Sequence, residues 1–185
     1  NLPLLYISTG GVFNGQKVSA YTEFDQPDPV NKYADSKLRG EQVIQHLLTK
    51  YFIIRAGWMI GGGDIDKKFV FKIVQQLKEG KTELRVVDDK FGSPCFTFDF
   101  AKQILPIIET GRYGIYHCAN GGFVSRYEIA QKIVELMKLK EMVKIHPINS
   151  AQFPLPAPRS RSEAIVNYKL NLLGINKMPD WQKSL

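Results

Sequence analysis

The sequence is short of the residues that disulfide and metal chemistry need. Its 185 residues include two cysteines, Cys95 and Cys118, and three histidines. Two cysteines cannot build a disulfide framework, and no histidine pair completes a metal-ligand set. No stretch approaches the ~20 consecutive apolar residues of a membrane-spanning helix. The N-terminus lacks a basic segment followed by an apolar core, so no signal peptide is expected and a cytoplasmic setting is the default. Internal repeats and low-complexity tracts are missing, which excludes solenoids and fibrous folds. A clustered basic stripe is missing as well. The formal net charge is +7, and residues 126–185 hold ten Lys/Arg against five Asp/Glu, but these charges stand singly among apolar residues. That scatter argues against a nucleic-acid surface, whereas a pyrophosphate-bearing small molecule needs only one or two such cations.

What remains is the ordinary composition of a protein with a packed core, 44% hydrophobic and 23% charged. Residues 3–8 form an apolar run ending at Gly10-Gly11, which reads as a buried strand opening into a loop. A Pro-rich loop leads to Asn31, a plausible N-cap. The spacing predicts a helix from there to Thr49, with Ala34, Leu38, Ile44, Leu47 and Leu48 on its inner face. Tyr51 to Ala56 is a second apolar strand. Strand, helix, strand is half of a doubly wound parallel sheet, whose ligands bind beyond the carboxyl ends of the strands, here at Ser8-Thr9 and Arg55 to Trp58. Further helices are expected over Lys67–Glu79, over Thr97–Ile108 (kinked or shortened by Pro106), from the capping box Ser125-Arg-Tyr-Glu128 to about Leu139, and over Tyr168–Leu173. Strands are expected at 84–87, Tyr113–Ala119 and 143–148, and a loop at Phe153–Arg161. The chain begins as if in the middle of a sheet, with no strand, Gly-rich turn and helix before it. Gly61-Gly62-Gly63 comes late and lacks the G-x-G-x-x-G spacing of a dinucleotide fingerprint. An unpaired apolar sheet edge, and dimerisation or aggregation through it, are therefore expected.

The chemistry-bearing constellation is Tyr33-Ala-Asp-Ser-Lys37. Positions i and i+4 share a helix face, so phenol and ammonium converge. A tyrosine pKa near ~10 is too high for acid/base work at neutral pH, and a lysine cation beside it favours the phenolate. The pair can then exchange a proton with a carbonyl or hydroxyl. Thr9, at the end of the preceding strand, can hydrogen-bond the same substrate oxygen.

The segments Ile7-Ser8-Thr9-x-x-Val12-Phe13 and Tyr33-Ala34-x-Ser36-Lys37-Leu38-x-Gly40-Glu41 resemble the active-site region of extended short-chain dehydrogenases/reductases, and within them most the dTDP-4-dehydrorhamnose reductases. Arg55-x-x-Trp58 followed by Phe69, Asp89-x-x-Gly92-x-Pro94 with Asp99, Gly114-x-Tyr116-His117 with Gly121, Ser125 and Glu128, and Phe153-Pro154-x-Pro156-Ala157-x-Arg159 agree in order. The resemblance implies the back half of a Rossmann-type doubly wound parallel sheet (residues 1–60) plus a smaller α/β substrate-binding domain (mainly 61–185), with parts of 95–120 packing back on the sheet. It implies NADPH or NADH as cofactor, a nucleotide-diphosphate sugar as substrate and a homodimer as one assembly open to it.

Thr9, Tyr33 and Lys37 would be the catalytic trio. Tyr33, Lys37 and Ser8 would meet the cofactor, and Thr9, Trp58 and Arg159 the substrate, without metal. Trp58 reads equally as a core aromatic, and Arg159 equally as an ion-pair partner. His117 is expected to hydrogen-bond locally within its strand. Two departures stand out: Gly10-Gly11 replaces an Asp-Tyr pair, removing a carboxylate and an aromatic from beside the substrate, and Lys90 stands where glutamine is common. The implied reaction is NAD(P)H-dependent reduction of a 4-keto nucleotide sugar. A C4 epimerase and a non-catalytic dinucleotide-binding regulatory subunit stay open.

Overall fold

The structure, a computed structural model, describes residues 2–185. Strand β1 (Leu4–Thr9) runs into a single 3₁₀ turn (Gly10–Val12), and a long loop leads to helix α1 (Lys32–Leu47). Then come β2 (Tyr51–Ala56), β3 (Trp58–Ile60), α2 (Phe69–Lys78), β4 (Glu83–Val87), β5 (Phe91–Gly92) and β6 (Pro94–Phe96). The chain continues through α3 (Thr97–Glu109), β7 (Gly114–Cys118), β8 (Val124–Ser125) and α4 (Arg126–Leu136). It ends with β9 (Lys144–Ile148), β10 (Ser162–Glu163) and the short helices α5 (Tyr168–Leu172) and α6 (Trp181–Ser184).

The central sheet is parallel, in the order β1-β2-β7. Helix α1 starts where Asn31 caps it, its side chain accepting from the Ala34 amide at 2.9 Å. It packs on β1 and β2, and close approach is allowed at Gly40, where a Cβ would press on the Tyr6 ring. Its inner face departs from the expected one. Ala34, Glu41 and Ile44 are buried and Leu38 packs partly, whereas Leu47 and Leu48 are exposed. The cause is electrostatic: Glu41 takes an inward position because Arg55 on β2 meets it there. Among the described residues β1 is paired on one side only, and its Leu4 and Ile7 are more than two-fifths exposed.

Two hydrophobic cores result. One joins β2, α3, β7 and the C-terminal segment through Phe13, Phe52, Ile54, Phe100, Ile107 and Leu170. The other lies between α2, α4 and the parallel pair β4-β9, built on Ile73, Leu77, Leu84, Ile129 and Ile133. The capping box opens α4 as its sequence requires, Ser125 accepting from the Glu128 amide and Glu128 from the Ser125 amide. Helix α3 is not shortened by Pro106; it runs to Glu109. Pro106 falls in the last helical turn, where it withholds the N–H that the Lys102 carbonyl would accept, and Ile107 next to it is fully buried. No described helix is long and apolar enough to cross a membrane.

Candidate functional site

The carboxyl ends of β1, β2 and β7 bring Ser8, Arg55 and His117 into one row. All three are buried. Arg55 closes on Glu41 of α1, donating from Nε to both carboxylate oxygens (3.0 and 3.2 Å) and from Nη2 to Oε2 at 2.6 Å. That clamp fixes α1 over the strand ends. Ser8, expected at the cofactor, is thereby held in the buried row, and its hydroxyl has no partner among the described residues.

The His117 ring lies near backbone groups of Tyr21 and Val166, which favour its charged form, but neither ring nitrogen reaches hydrogen-bond geometry; the ring packs edge-on against Phe13, and its backbone amide donates to Glu23. Burial, with the Arg55 cation adding to it, pushes its pKa down to about 3. The fold therefore holds it neutral, while the unfolded chain takes up a proton near ~6.5. Acidification favours the unfolded state, so this one group should cost about 2 kcal/mol of stability between pH 7 and pH 5. Burial raises the Glu23 carboxyl, which acts in the opposite sense at lower pH. Urea unfolding of wild type and His117→Gln at both pH values isolates the effect: the variant should lose most of the pH slope, and an unchanged slope would remove His117 as its source. The two thiols are buried as well, and burial pushes Cys95 up to about 12 and Cys118 up too, which keeps them protonated and unreactive.

Tyr33 and Lys37 lie on the first two turns of α1. Tyr33 is 59% exposed. The Lys37 ammonium sits 4.1 Å from the Tyr6 ring centroid, a cation–π contact that holds it beside β1. Thr9 Oγ1 accepts from the Gly11 amide at 3.1 Å, and its own O–H has no acceptor among the described residues, so it is free to donate. Tyr33 also lines a cavity of about 410 Å³ with Trp58, Lys68, Phe69, Arg126 and Arg159. Trp58 is thus a cavity wall. Its ring lies against Gly92, where a Cβ would overlap it, and its indole N–H donates to Glu163 Oε2 at 2.7 Å. The Arg126 guanidinium stands 4.6 Å from the Trp58 ring centroid and 5.2 Å from that of Phe69.

The Pro-rich loop is placed by two hydrogen bonds. Asn31 Nδ2 donates to the Pro158 carbonyl and Lys90 Nζ to the Arg159 carbonyl. The residue that caps α1 therefore also tethers the loop, which brings Arg159 to the cavity that Tyr33 lines. Lys90, a departure in sequence, acts as a loop clamp. Sequence reading missed Arg126 and Glu163. Arg126 heads a helix, where a cation opposes the dipole, and that misfit was its one visible signal. Glu163 lies near this end of β1: a Cβ at Gly11 would lie 3.8 Å from Glu163 Oε1 and 3.4 Å from Thr9 Oγ1. No group of three or more His, Cys, Asp or Glu among the described residues is placed to hold a metal.

A cavity with cations and aromatic walls, next to a Tyr and a Lys one helical turn apart above a parallel sheet, suits an anionic sugar conjugate and proton transfer. Gly61 is packed against Thr97, and glycines 61–63 lack the G-x-G-x-x-G spacing of a phosphate cradle. The residues present fit the reactive end of a dinucleotide and not its phosphates. The family described as RmlD substrate binding domain matches residues 1–185. The dTDP-4-dehydrorhamnose reductase of Mycobacterium tuberculosis is 34% identical, over 98% of this chain and 60% of that protein. The crystal structure of dTDP-4-dehydrorhamnose reductase from Yersinia enterocolitica superposes with a TM-score of 0.90 at 41% identity, over 98% of this chain and 63% of that one. The corresponding reductase of Bacillus anthracis, in complex with NADP, gives 0.90 at 36% identity with the same coverage. The chain thus spans about three-fifths of the length of these relatives.

Proposed function

The chain belongs to the RmlD substrate binding domain family, and from that membership we propose that the protein carrying it reduces the 4-keto group of a dTDP-linked deoxysugar, with NADPH as cofactor. The single observation that carries the reading is Tyr33 on α1, one helical turn from Lys37, lining the cavity walled by Trp58, Arg126 and Arg159. The names of the similar reductases, and the NADP held by the Bacillus anthracis relative, supply the substrate and cofactor class. In the same reading, residues 1–60 serve the cofactor side and residues 61–185 mainly the substrate side.

A bound nicotinamide supplies the hydride. The chain's own residues do the rest. The Thr9 hydroxyl donates a hydrogen bond to the keto oxygen and polarises the carbonyl. Tyr33 gives that oxygen its proton as the carbon is reduced, so the ketone becomes an alcohol and Tyr33 a phenolate. The Lys37 cation stabilises the phenolate until solvent returns the proton. Trp58 offers the sugar ring an apolar wall, and the Arg126 and Arg159 cations favour the diphosphate.

The test is NADPH consumption by the full-length protein. Turnover is expected with dTDP-4-dehydrorhamnose and not with the free keto sugar. Tightly retained NAD with interconversion at C4, and no net NADPH consumption, would instead establish an epimerase and end this reading.

A further inference from the structure

Glu163 bonds to Trp58, a wall of the cavity, and stands close to Gly11. Strand β10 pairs in parallel with β5, Glu163 standing beside Gly92. Gly92 is bare, so the Trp58 ring lies flat against it and presents its N–H to the neighbouring strand. Glu163 Oε2 accepts that N–H at 2.7 Å, which fixes the side chain without satisfying it. Oε1 has no hydrogen bond among the described residues and lies 3.8 Å from where a Cβ on Gly11 would stand, a point itself 3.4 Å from Thr9 Oγ1. The Gly10-Gly11 pair is what lets the two segments meet: a Cβ at Gly10 would already stand 3.1 Å from Ile165 Cγ2 and 3.2 Å from the Glu163 carbonyl. Burial dominates at Arg126 and disfavours its charged form, while the Glu163 carboxylate stands near enough to favour it.

A carboxylate held by one oxygen and free at the other is an acceptor only. It repels a phosphate and offers nothing to a ketone. A sugar hydroxyl, by contrast, donates to it well, in a charge-assisted bond. Thr9 and Tyr33 are the opposite kind of group, donors suited to the keto oxygen. Donors on one side and an acceptor on the other define an orientation for a ring that carries both a ketone and hydroxyls.

We propose that Glu163 is the specificity-determining residue of the sugar subsite, accepting a hydrogen bond from a ring hydroxyl and thereby turning the keto group toward Thr9 and Tyr33. This rests on the reductase reading above. It assigns a task to a residue 105 positions from its indole partner in sequence.

Calorimetric titration of the full-length protein with dTDP-rhamnose, the reduced counterpart of the relatives' substrate, and with dTDP alone tests it. Glu163→Gln keeps an oxygen for the Trp58 N–H and removes the charge. It should weaken dTDP-rhamnose about tenfold or more and leave dTDP within twofold. The wild type should lose the same factor on a 2-deoxy or a 3-deoxy counterpart of the sugar. If near-ultraviolet dichroism shows Trp58 displaced in the variant, the deoxy sugars on wild type decide alone. Equal affinity of wild type and variant for dTDP-rhamnose, equal loss for both ligands, or indifference to both deoxy sugars overturns the inference. Wild type that binds neither dTDP nor dTDP-rhamnose overturns the reductase reading along with it.

Discussion

Replacing Glu41 by glutamine is expected to destabilise the fold by about 3–5 kcal/mol, the range for removing one partner of a buried ion pair. The Glu41 side chain is fully buried and that of Arg55 nearly so. Three hydrogen bonds join them, and the Arg55 guanidinium also lies 5.3 Å from the Phe13 ring centroid. Arg55 Nη1 already lacks a partner, so the cation has no second anion to turn to. Glutamine matches the shape and removes the charge, leaving a guanidinium out of water and unpaired. An apolar pair tells the attraction apart from the packing: Glu41→Leu with Arg55→Met should recover most of the loss, since exchanging both partners is often near neutral. Urea unfolding at pH 7 reads both variants. A loss below about 1 kcal/mol in Glu41→Gln would mean that the pair is solvated and that α1 is held by its apolar contacts alone.

The same pair shows why the sequence was legible in some places and not in others. The β1–α1–β2 unit could be read because its strands are unbroken apolar runs and Asn31 marks the helix start. The α4 start could be read because a capping box is a local device. The inner face of α1 was misjudged at Leu47 and Leu48, since hydrophobic periodicity has no means of ranking a glutamate as buried. Strands β3, β5, β6, β8 and β10 have two or three residues each. That is too short for any period, and they exist only through distant pairing, such as Trp58 with Pro94 and Ser162 with Phe91. At the site, Tyr33 and Lys37 were visible because their spacing is itself the chemistry. Glu163 was not, because its position depends on bare backbone at Gly92 and at Gly10-Gly11, three segments that meet only in the fold. Lys90, standing where glutamine is common, donates to the Arg159 carbonyl.

Tyr33→Phe is expected to lower kcat by about 10²–10⁴, the usual worth of a positioned general acid, while changing folding stability by no more than about 0.5 kcal/mol. The two halves of the prediction support each other. Tyr33 stands 59% exposed on the first turn of α1, and its hydroxyl hydrogen-bonds to no described residue. Deleting one oxygen therefore removes nothing from either core, and a slower enzyme cannot be ascribed to a damaged one. Nucleotide-sugar affinity should stay within about threefold, because Trp58, Arg126 and Arg159 are untouched. The loss then falls on kcat and kcat/KM alike, the signature of an interaction made in the transition state. Thr9→Val should show the same pattern at smaller amplitude, about 10–10²-fold, since it removes one hydrogen bond to the keto oxygen and leaves the proton donor in place. Lys37→Met differs from both in removing the cation beside β1 that stabilises the phenolate. If Tyr33→Phe turned over within threefold of wild type, the proton would have to come from another group. Among the described residues around the cavity, Asp66, Lys68, Arg126 and Arg159 are the ionisable ones left. The two arginines are ruled out as donors by their basicity, so the assignment of α1 as the catalytic helix would fall in favour of Asp66 or Lys68.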